Sequence, residues 1–148
     1  MKILIINGPN MNMLGRRETS IYGPTSLDDI EGLVRRKALS IGAEVDFFQS
    51  NHEGELIDRI HKAQSLGIDA FIINPGGLTH TSVSLRDALL AVGVPFIEVH
   101  LSKVSSRESF RLINYFSDIA AGTIAGFGPL GYELAVEAVW GLYGKKAQ

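Results

Sequence analysis

Short apolar runs alternate along the chain with longer amphipathic segments. The short runs are rich in β-branched residues and predict strands; they cover residues 3–6, 44–49, 70–73, 94–99 and 119–127. The longer segments repeat apolar residues every three or four positions, which predicts helices; they cover residues 27–41, 53–66, 81–92, 105–116 and 131–143. Strands and helices therefore alternate from one end of the chain to the other.

This alternation predicts an α/β domain with a parallel sheet. Five strands joined by short, right-handed crossovers favour a flavodoxin-like three-layer sandwich with the strand order 2-1-3-4-5. No linker or internal repeat divides the sequence, so we expect one domain over residues 1–148. In this order the ligand crevice opens at the carboxyl ends of strands 1 and 3, with strand 4 beside them.

Polar, glycine-rich segments follow the strands that border this crevice, at residues 7–24, 74–81 and 100–107. The first is long for a structureless loop, and we expect it to act as a lid that carries an arginine and a tyrosine. The second places two glycines before a helix, which is typical of a cradle for an anion or a hydroxyl group. The chemistry is thus expected at this edge of the sheet.

Composition narrows the function further. The 148 residues are 45% apolar and 20% charged with a net charge of −2, which is typical of a globular protein. Without a basic stripe, neither nucleic acid nor an anionic membrane is an expected partner. No run reaches the roughly 18–20 apolar residues of a membrane helix, and no signal peptide is recognisable, so we expect a cytoplasmic protein. The lack of cysteine excludes disulfides and thiolate chemistry.

Three other kinds of site find only partial support. Residues 126–131 have the G-x-G-x-x-G form of a dinucleotide site, but they follow the last strand instead of the first. A flavin site needs hydroxyl groups, and a response regulator needs carboxylates, where the strand ends carry the neutral Asn7 and Asn74. His80, Glu98 and His100 remain a possible metal set, spread over two strand ends.

Several motifs together connect the chain to one family. They are residues 8–10, 14–18, 22–23, 74–82, 86–88, 97–102 and 128–132, with Arg107 and Arg111. In these motifs and their spacing the chain resembles the type II 3-dehydroquinate dehydratases, essentially from end to end. Met11 and Met13 stand where such enzymes more often have leucine, a change of similar bulk.

The resemblance implies that the protein removes water from 3-dehydroquinate to give 3-dehydroshikimate, through an enolate, in the shikimate pathway. It makes Tyr22 the base and His100 the acid, with Glu98 orienting His100 and Asn10 fixing a water at the enolate oxygen. A free phenol is only about one part in a thousand ionised at pH 7. We therefore expect Arg17, five residues before the tyrosine, to stabilise the phenolate.

The resemblance also implies a set of substrate contacts and no metal or cofactor. These contacts are Asn74, Gly76, His80, Asp87, Leu101, Ser102 and Arg111. The family assembles as a homododecamer built from trimers, and Arg107 belongs either to the site or to an interface. Two alternatives stay open: a flavodoxin-like binding module without catalysis, and use of the same reaction in quinate catabolism.

Overall fold

A parallel sheet of five strands lies at the centre of the computed structural model, which describes residues 1–144. The strands are β1 (Lys2–Asn7), β2 (Glu44–Gln49), β3 (Ala70–Asn74), β4 (Phe96–His100) and β5 (Gly122–Ala125). The helices are α1 (Thr19–Tyr22), α2 (Leu27–Ile41), α3 (Glu53–His61), α4 (Val83–Val92) and α5 (Leu130–Tyr143). The domain predicted from the sequence also includes residues 145–148, which lie outside the described residues.

The strand order confirms the predicted flavodoxin-like arrangement. It is β2-β1-β3-β4-β5, and every neighbouring pair is parallel. The register pairs Asn7, the last residue of β1, with Asn74, the last residue of β3. The polar ends of the two central strands therefore lie side by side at the edge where the sequence analysis expects the site.

Both faces of the sheet are buried. Successive residues of a strand point to opposite faces, so each strand contributes side chains to two cores. In β1, Ile3 and Ile5 belong to the apolar core that includes α2 and α5. Leu4 and Ile6 belong to the second core, which includes α3 and α4. A strand that is buried on both faces has no side chain that faces solvent, and this explains the unbroken apolar run of β1.

The long helices begin and end at residues that the sequence identifies. Ser26 and Asp29 form a capping box at the start of α2, and the hydrogen bonds from Ser26 hold the pKa of Asp29 below its usual value. Gly42 ends this helix in the left-handed conformation. With 15 residues in α2 and 14 in α5, no helix within residues 1–144 has the length and apolar character needed to cross a membrane.

The helix predicted over residues 105–116 is wrong. Two 3-10 turns, Val104–Ser106 and Ser109–Leu112, replace it, and the backbone between them is extended. The Asn114 side-chain oxygen then accepts hydrogen bonds from the backbone N–H groups of Phe116 and Ser117, at 2.7 and 2.9 Å. A side chain that satisfies backbone N–H groups in this way competes with helix formation.

Other boundaries also differ from the prediction, most of them by one or two residues. The long loop after β1 contains the helical turn α1, and α3 ends at His61, five residues early. β5 covers Gly122–Ala125 instead of residues 119–127. The strand stops there because Gly126 has a φ of 92°, which is outside the extended region.

The loops after β1 and β3 are in direct backbone contact through two glycines. The Gly8 N–H donates a hydrogen bond of 2.8 Å to the Asn74 carbonyl oxygen. A Cβ atom on Gly8 would lie 2.4 Å from the Pro75 carbonyl oxygen, and one on Gly76 would lie 3.0 Å from that of Pro9. Any side chain at these positions would push the loops apart, so glycine holds the two loops together.

We expect Gly8→Ala to lower the free energy of unfolding by about 1–3 kcal/mol, the usual range for overpacking. Gly54→Ala in α3 is the matched control, because a Cβ atom there would meet no atom within 4 Å. Urea unfolding of the two variants and the parent chain measures the difference. Equal midpoints for both variants would contradict a close approach of the two loops at Gly8.

Candidate active site

A cavity of about 260 Å³ opens at the carboxyl ends of β1, β3 and β4. This is the edge of the sheet at which the strand order predicts a ligand crevice. Most of the residues that the sequence analysis assigns to the site line this cavity: Asn10, Arg17, Tyr22, Asn74, Gly76, His80, His100, Leu101, Ser102 and Arg111. Residues separated by up to about a hundred positions therefore meet at one place.

Two of the predicted site residues do not line the cavity. Glu98 is fully buried in β4 and contacts the cavity only through His100. Asp87 lies exposed on α4 and is not part of the cavity wall. Within one chain, Asp87 therefore has no contact with a molecule bound in the cavity.

The lid turn α1 presents Tyr22 to the cavity between two arginines. The Tyr22 hydroxyl oxygen accepts a hydrogen bond of 2.8 Å from Nη1 of Arg107. The Arg17 guanidinium lies 5.1 Å from the centre of the Tyr22 ring, and that of Arg107 lies 5.4 Å from it. Both distances are within the range of cation–π attraction. Two positive charges therefore face one phenol.

The cavity wall carries more positive than negative charge. Arg17, Arg107 and Arg111 all line it, whereas Glu18 is the one carboxylate among its lining residues within the described part of the chain. Glu18 is itself paired with Arg17 at 3.1 Å. Arg111 donates a hydrogen bond of 2.6 Å to Glu108, which lowers the pKa of that carboxyl group. A cavity with this excess of guanidinium groups suits a small anionic ligand.

His100 is held from behind by a buried carboxylate. Its Nε2 lies 2.6 Å from Oε1 of Glu98, which also accepts a 2.8 Å hydrogen bond from the Asn114 amide nitrogen. The other oxygen, Oε2, accepts a 3.1 Å hydrogen bond from the Thr123 hydroxyl group. Because a carboxylate only accepts, Nε2 of His100 carries a proton, and Nδ1 remains for the cavity.

Asn10 is held in an unusual backbone conformation beside the cavity. Its φ is 69°, in the left-handed region that asparagine tolerates better than most residues. The Asn10 backbone N–H donates a 2.9 Å hydrogen bond to the side-chain oxygen of Asn51. Gln49, at the end of β2, donates hydrogen bonds to the same oxygen and to the Gly8 carbonyl oxygen. The end of β2 therefore fixes the loop that carries Asn10.

The three residues that the sequence analysis left open as a metal set, His80, Glu98 and His100, are not grouped as one within residues 1–144. Nδ1 of His80 lies 2.5 Å from the Ile113 carbonyl oxygen and donates to it, because a carbonyl oxygen only accepts. Within residues 1–144, no three histidine, aspartate or glutamate side chains are grouped as a metal ion would require. Nε2 of His80 remains without a proton in this neutral tautomer, and it can accept a hydrogen bond from a ligand.

Sequence reasoning missed several residues that shape the site. The sequence analysis left open whether Arg107 belongs to the site or to an interface. The structure places Arg107 in the cavity wall, in contact with Tyr22. Thr123 lies opposite Glu98 in the sheet, and its hydroxyl group binds that carboxylate. A hydroxyl residue in the otherwise apolar last strand could have indicated a polar partner in the neighbouring strand. Asn51 and Asn114 act through contacts across 41 and 16 residues, and no local pattern marks them.

A doubly wound sheet with an arginine-rich cavity at its switch point is typical of an enzyme that binds a small anionic ligand. The sequence model of the family described as Dehydroquinase class II matches residues 1–140. The chain therefore belongs to the class II dehydroquinases, and with them to the hydro-lyases.

Individual relatives agree with this assignment. The chain is 60% identical to a 3-dehydroquinate dehydratase of Methylococcus capsulatus, over 92% of each chain. It is 58% identical to catabolic 3-dehydroquinase 2 of Aspergillus flavus, over 91% of this chain and 89% of that one. The crystal structure of a type II dehydroquinase from Butyrivibrio crossotus superposes with a TM-score of 0.91 at 44% identity, over 94% of this chain and 97% of the other.

Proposed function

We propose that this protein removes water from 3-dehydroquinate to give 3-dehydroshikimate, with Tyr22 as the base and His100 as the acid. The observation that carries the proposal is that both side chains line one cationic cavity at the ends of the central strands. The names and the high identity of the relatives support the same reaction. The substrate is a β-hydroxy ketone with a carboxylate, so it needs a base, an acid and an anion site.

The substrate carboxylate fits the turn that follows β4. Backbone N–H groups of Leu101 and Ser102 are the proposed donors to it, in a cavity whose arginines favour negative charge. Asn74, His80 and Arg111 are the proposed contacts of the ring hydroxyl groups, because each lines the same cavity with a polar side chain. Gly76 would let the substrate approach the backbone closely.

The first chemical step is removal of the proton next to the ketone. Tyr22 acts as the phenolate and takes this proton, which leaves the electron pair as an enolate. Arg107, which contacts the Tyr22 oxygen, and Arg17, which lies over its ring, both stabilise the phenolate electrostatically. Asn10 is proposed to hold a water at the enolate oxygen, since it lines the cavity beside the lid.

We expect Arg107→Lys and Arg17→Lys each to lower kcat/KM by about 10- to 150-fold, which corresponds to the roughly 1.5–3 kcal/mol of a charge-assisted hydrogen bond. A lysine ammonium group on a flexible stem does not reproduce the planar contact of a guanidinium group. Steady-state kinetics of both variants beside the parent chain measures the loss. A kcat/KM within twofold of the parent value would remove that arginine from the activation of Tyr22.

The second chemical step is loss of the hydroxyl group. His100, with Nε2 directed to Glu98, is proposed to act from Nδ1: as an imidazolium it gives its proton to the leaving oxygen, which departs as water. The enolate then collapses to the conjugated enone. Tyr22 has gained one proton and His100 has lost one. A net transfer of one proton from Tyr22 to His100 therefore restores the enzyme to its starting state.

A different route to the same product would pass through an imine with a lysine. Lys103 directly follows the proposed carboxylate site, but it is exposed and does not line the cavity. An imine-forming lysine usually lies in a buried apolar or cationic setting, which the exposed Lys103 does not have. We therefore expect no covalent adduct when borohydride is added during turnover and the intact mass is measured. A mass increase that maps to Lys103 would overturn the enolate route.

The overall proposal is tested by adding 3-dehydroquinate and following the ultraviolet absorbance of the conjugated enone. Turnover without added metal or cofactor is the expected result. Binding without product would indicate a flavodoxin-like binding module instead.

The pathway has two candidates: we propose biosynthesis through the shikimate pathway, and the catabolic relative from Aspergillus flavus supports quinate breakdown as the alternative. Growth of a deletion strain on quinate, against growth without aromatic amino acids, separates them.

We also propose that the protein is a cytoplasmic homo-oligomer, a dodecamer built from trimers. Val83 and Leu90 are about half exposed on α4, and they share a face with Asp87. Phe110 and Leu112 expose even more apolar surface beside the cavity. An interface over this surface would allow Asp87 to serve the cavity of another copy, which it does not reach in its own chain. Light scattering tests the assembly, with a mass of one chain, 16.1 kDa, as the contrary result.

A further inference from the structure

Three buried polar side chains meet below the floor of the cavity. Asn7 ends β1, Asn74 ends β3, and Tyr132 lies in the first turn of α5. Their exposed fractions are 1%, 3% and 0%. Only Asn74 lines the cavity, so the other two have no contact with a bound molecule. Three polar groups in an apolar interior are costly unless each finds a partner.

The three side chains donate their hydrogen bonds in one direction, from Asn74 to Tyr132 and from Tyr132 to Asn7. The Tyr132 hydroxyl group donates to the Asn7 side-chain oxygen at 2.6 Å, and it accepts from the Asn74 amide nitrogen at 3.1 Å. The Asn74 side-chain oxygen accepts from the Gly76 N–H at 3.2 Å. Burial raises the pKa of Tyr132, so the phenol keeps its single proton. That proton goes to Asn7, and Tyr132 can only accept from Asn74.

This direction leaves the Asn74 amide with one orientation. Its oxygen is turned toward Gly76 and its nitrogen toward Tyr132, which occupies one of the two amide N–H groups. The second N–H is the group that Asn74 can offer to an oxygen atom of a molecule in the cavity. The reversed amide would present an oxygen to the ligand, which would repel a carboxylate oxygen and would force a hydroxyl group to turn its own hydrogen toward Asn74.

We propose that Tyr132, together with Asn7, is a positioning residue that sets the orientation of the Asn74 amide for substrate binding. The inference rests on the proposed function, in which Asn74 contacts the substrate. It adds a buried residue from α5, below the floor of the cavity, to the residues that shape the site. Tyr132 itself touches neither the substrate nor the reacting atoms.

The test is Tyr132→Phe, which keeps the ring and removes the hydroxyl group. A ligand contact held in the ground state and the transition state alike affects KM and not kcat. We therefore expect KM for 3-dehydroquinate to rise on the order of 10-fold, with kcat within twofold and the pH profile unmoved. Thr79→Val is the matched control, since the Thr79 hydroxyl is buried and has no hydrogen-bond partner among residues 1–144. A fall in Tm with KM unchanged would overturn the proposal.

One further variant keeps the proposal falsifiable if Tyr132→Phe folds poorly, and a double variant tests the coupling if it folds well. Asn7→Ala removes the acceptor of the Tyr132 proton, which frees the phenol to donate to the reversed Asn74 amide, so the same rise in KM is expected. In an Asn74→Ala background, Tyr132→Phe is expected to change KM no further. Additive effects would overturn the proposal. An Asn74→Ala variant with normal KM would instead refute Asn74 as a substrate contact, and absence of turnover in the parent chain would refute the proposed function itself.

Discussion

Tyr22→Phe is expected to abolish turnover while leaving substrate affinity nearly unchanged. The ring stays, and with it the packing of the lid turn against the apolar core. The hydroxyl oxygen, which accepts the 2.8 Å hydrogen bond from Arg107, is lost, and the proton next to the ketone has no acceptor. Loss of a general base costs about 10²–10⁴-fold in kcat.

The measurement is kcat from the enone absorbance, together with the dissociation constant from calorimetry. Tyr143→Phe is the matched control, because Tyr143 ends α5 and does not line the cavity. Retention of more than a tenth of the parent kcat in Tyr22→Phe would rule out this tyrosine as the base. Equal loss of affinity and of kcat would assign it a binding role.

His100→Ala is expected to uncouple the two chemical steps. Tyr22 and its arginines remain, so the enolate still forms, but the leaving hydroxyl group receives no proton. We expect kcat to fall by about 10²–10⁴-fold. The enolate then returns to substrate, and the proton next to the ketone exchanges with solvent faster than product appears.

Deuterium incorporation into recovered substrate, followed by NMR against product formation, measures this uncoupling. His61→Ala removes an exposed imidazole from α3, outside the cavity, and serves as the control. If exchange and dehydration fall by the same factor, His100 contributes to binding or to the first step. The assignment of the acid would then have to move to another group in the cavity.

The fold and the location of the site were accessible from sequence because both depend on local pattern. Five short apolar runs predicted the strands, and parallel strand order predicts the edge at which their carboxyl ends meet. Asn74 and His100 end their strands, so their meeting follows from topology alone. The roles of Tyr22 and Arg17 came from the family resemblance, and no periodicity pointed to them.

What escaped the sequence depends on contacts between distant segments. The Arg107–Tyr22 hydrogen bond joins residues 85 positions apart, across a segment that was predicted to be helical. That helix is absent because Asn114 satisfies two backbone N–H groups itself, while its amide nitrogen supports Glu98. Such contacts of a single side chain with different segments do not change the pattern of apolar and polar positions, so the sequence analysis could not predict them. Asp87 is a different case: the family resemblance assigns it to the site, but it is exposed on α4 and does not line the cavity of its own chain.

The backbone contact between the loops of Gly8 and Gly76 divides the cavity wall into parts with different freedom to evolve. Neither glycine can gain a side chain without pushing the two loops apart. Glu18 and Val104 line the same cavity from turns outside the sheet. Laboratory evolution toward other hydroxy ketones should therefore find its tolerated variants at Glu18 and Val104, while libraries at the paired glycines yield mostly misfolded protein. Natural drift in substrate range would follow the same division.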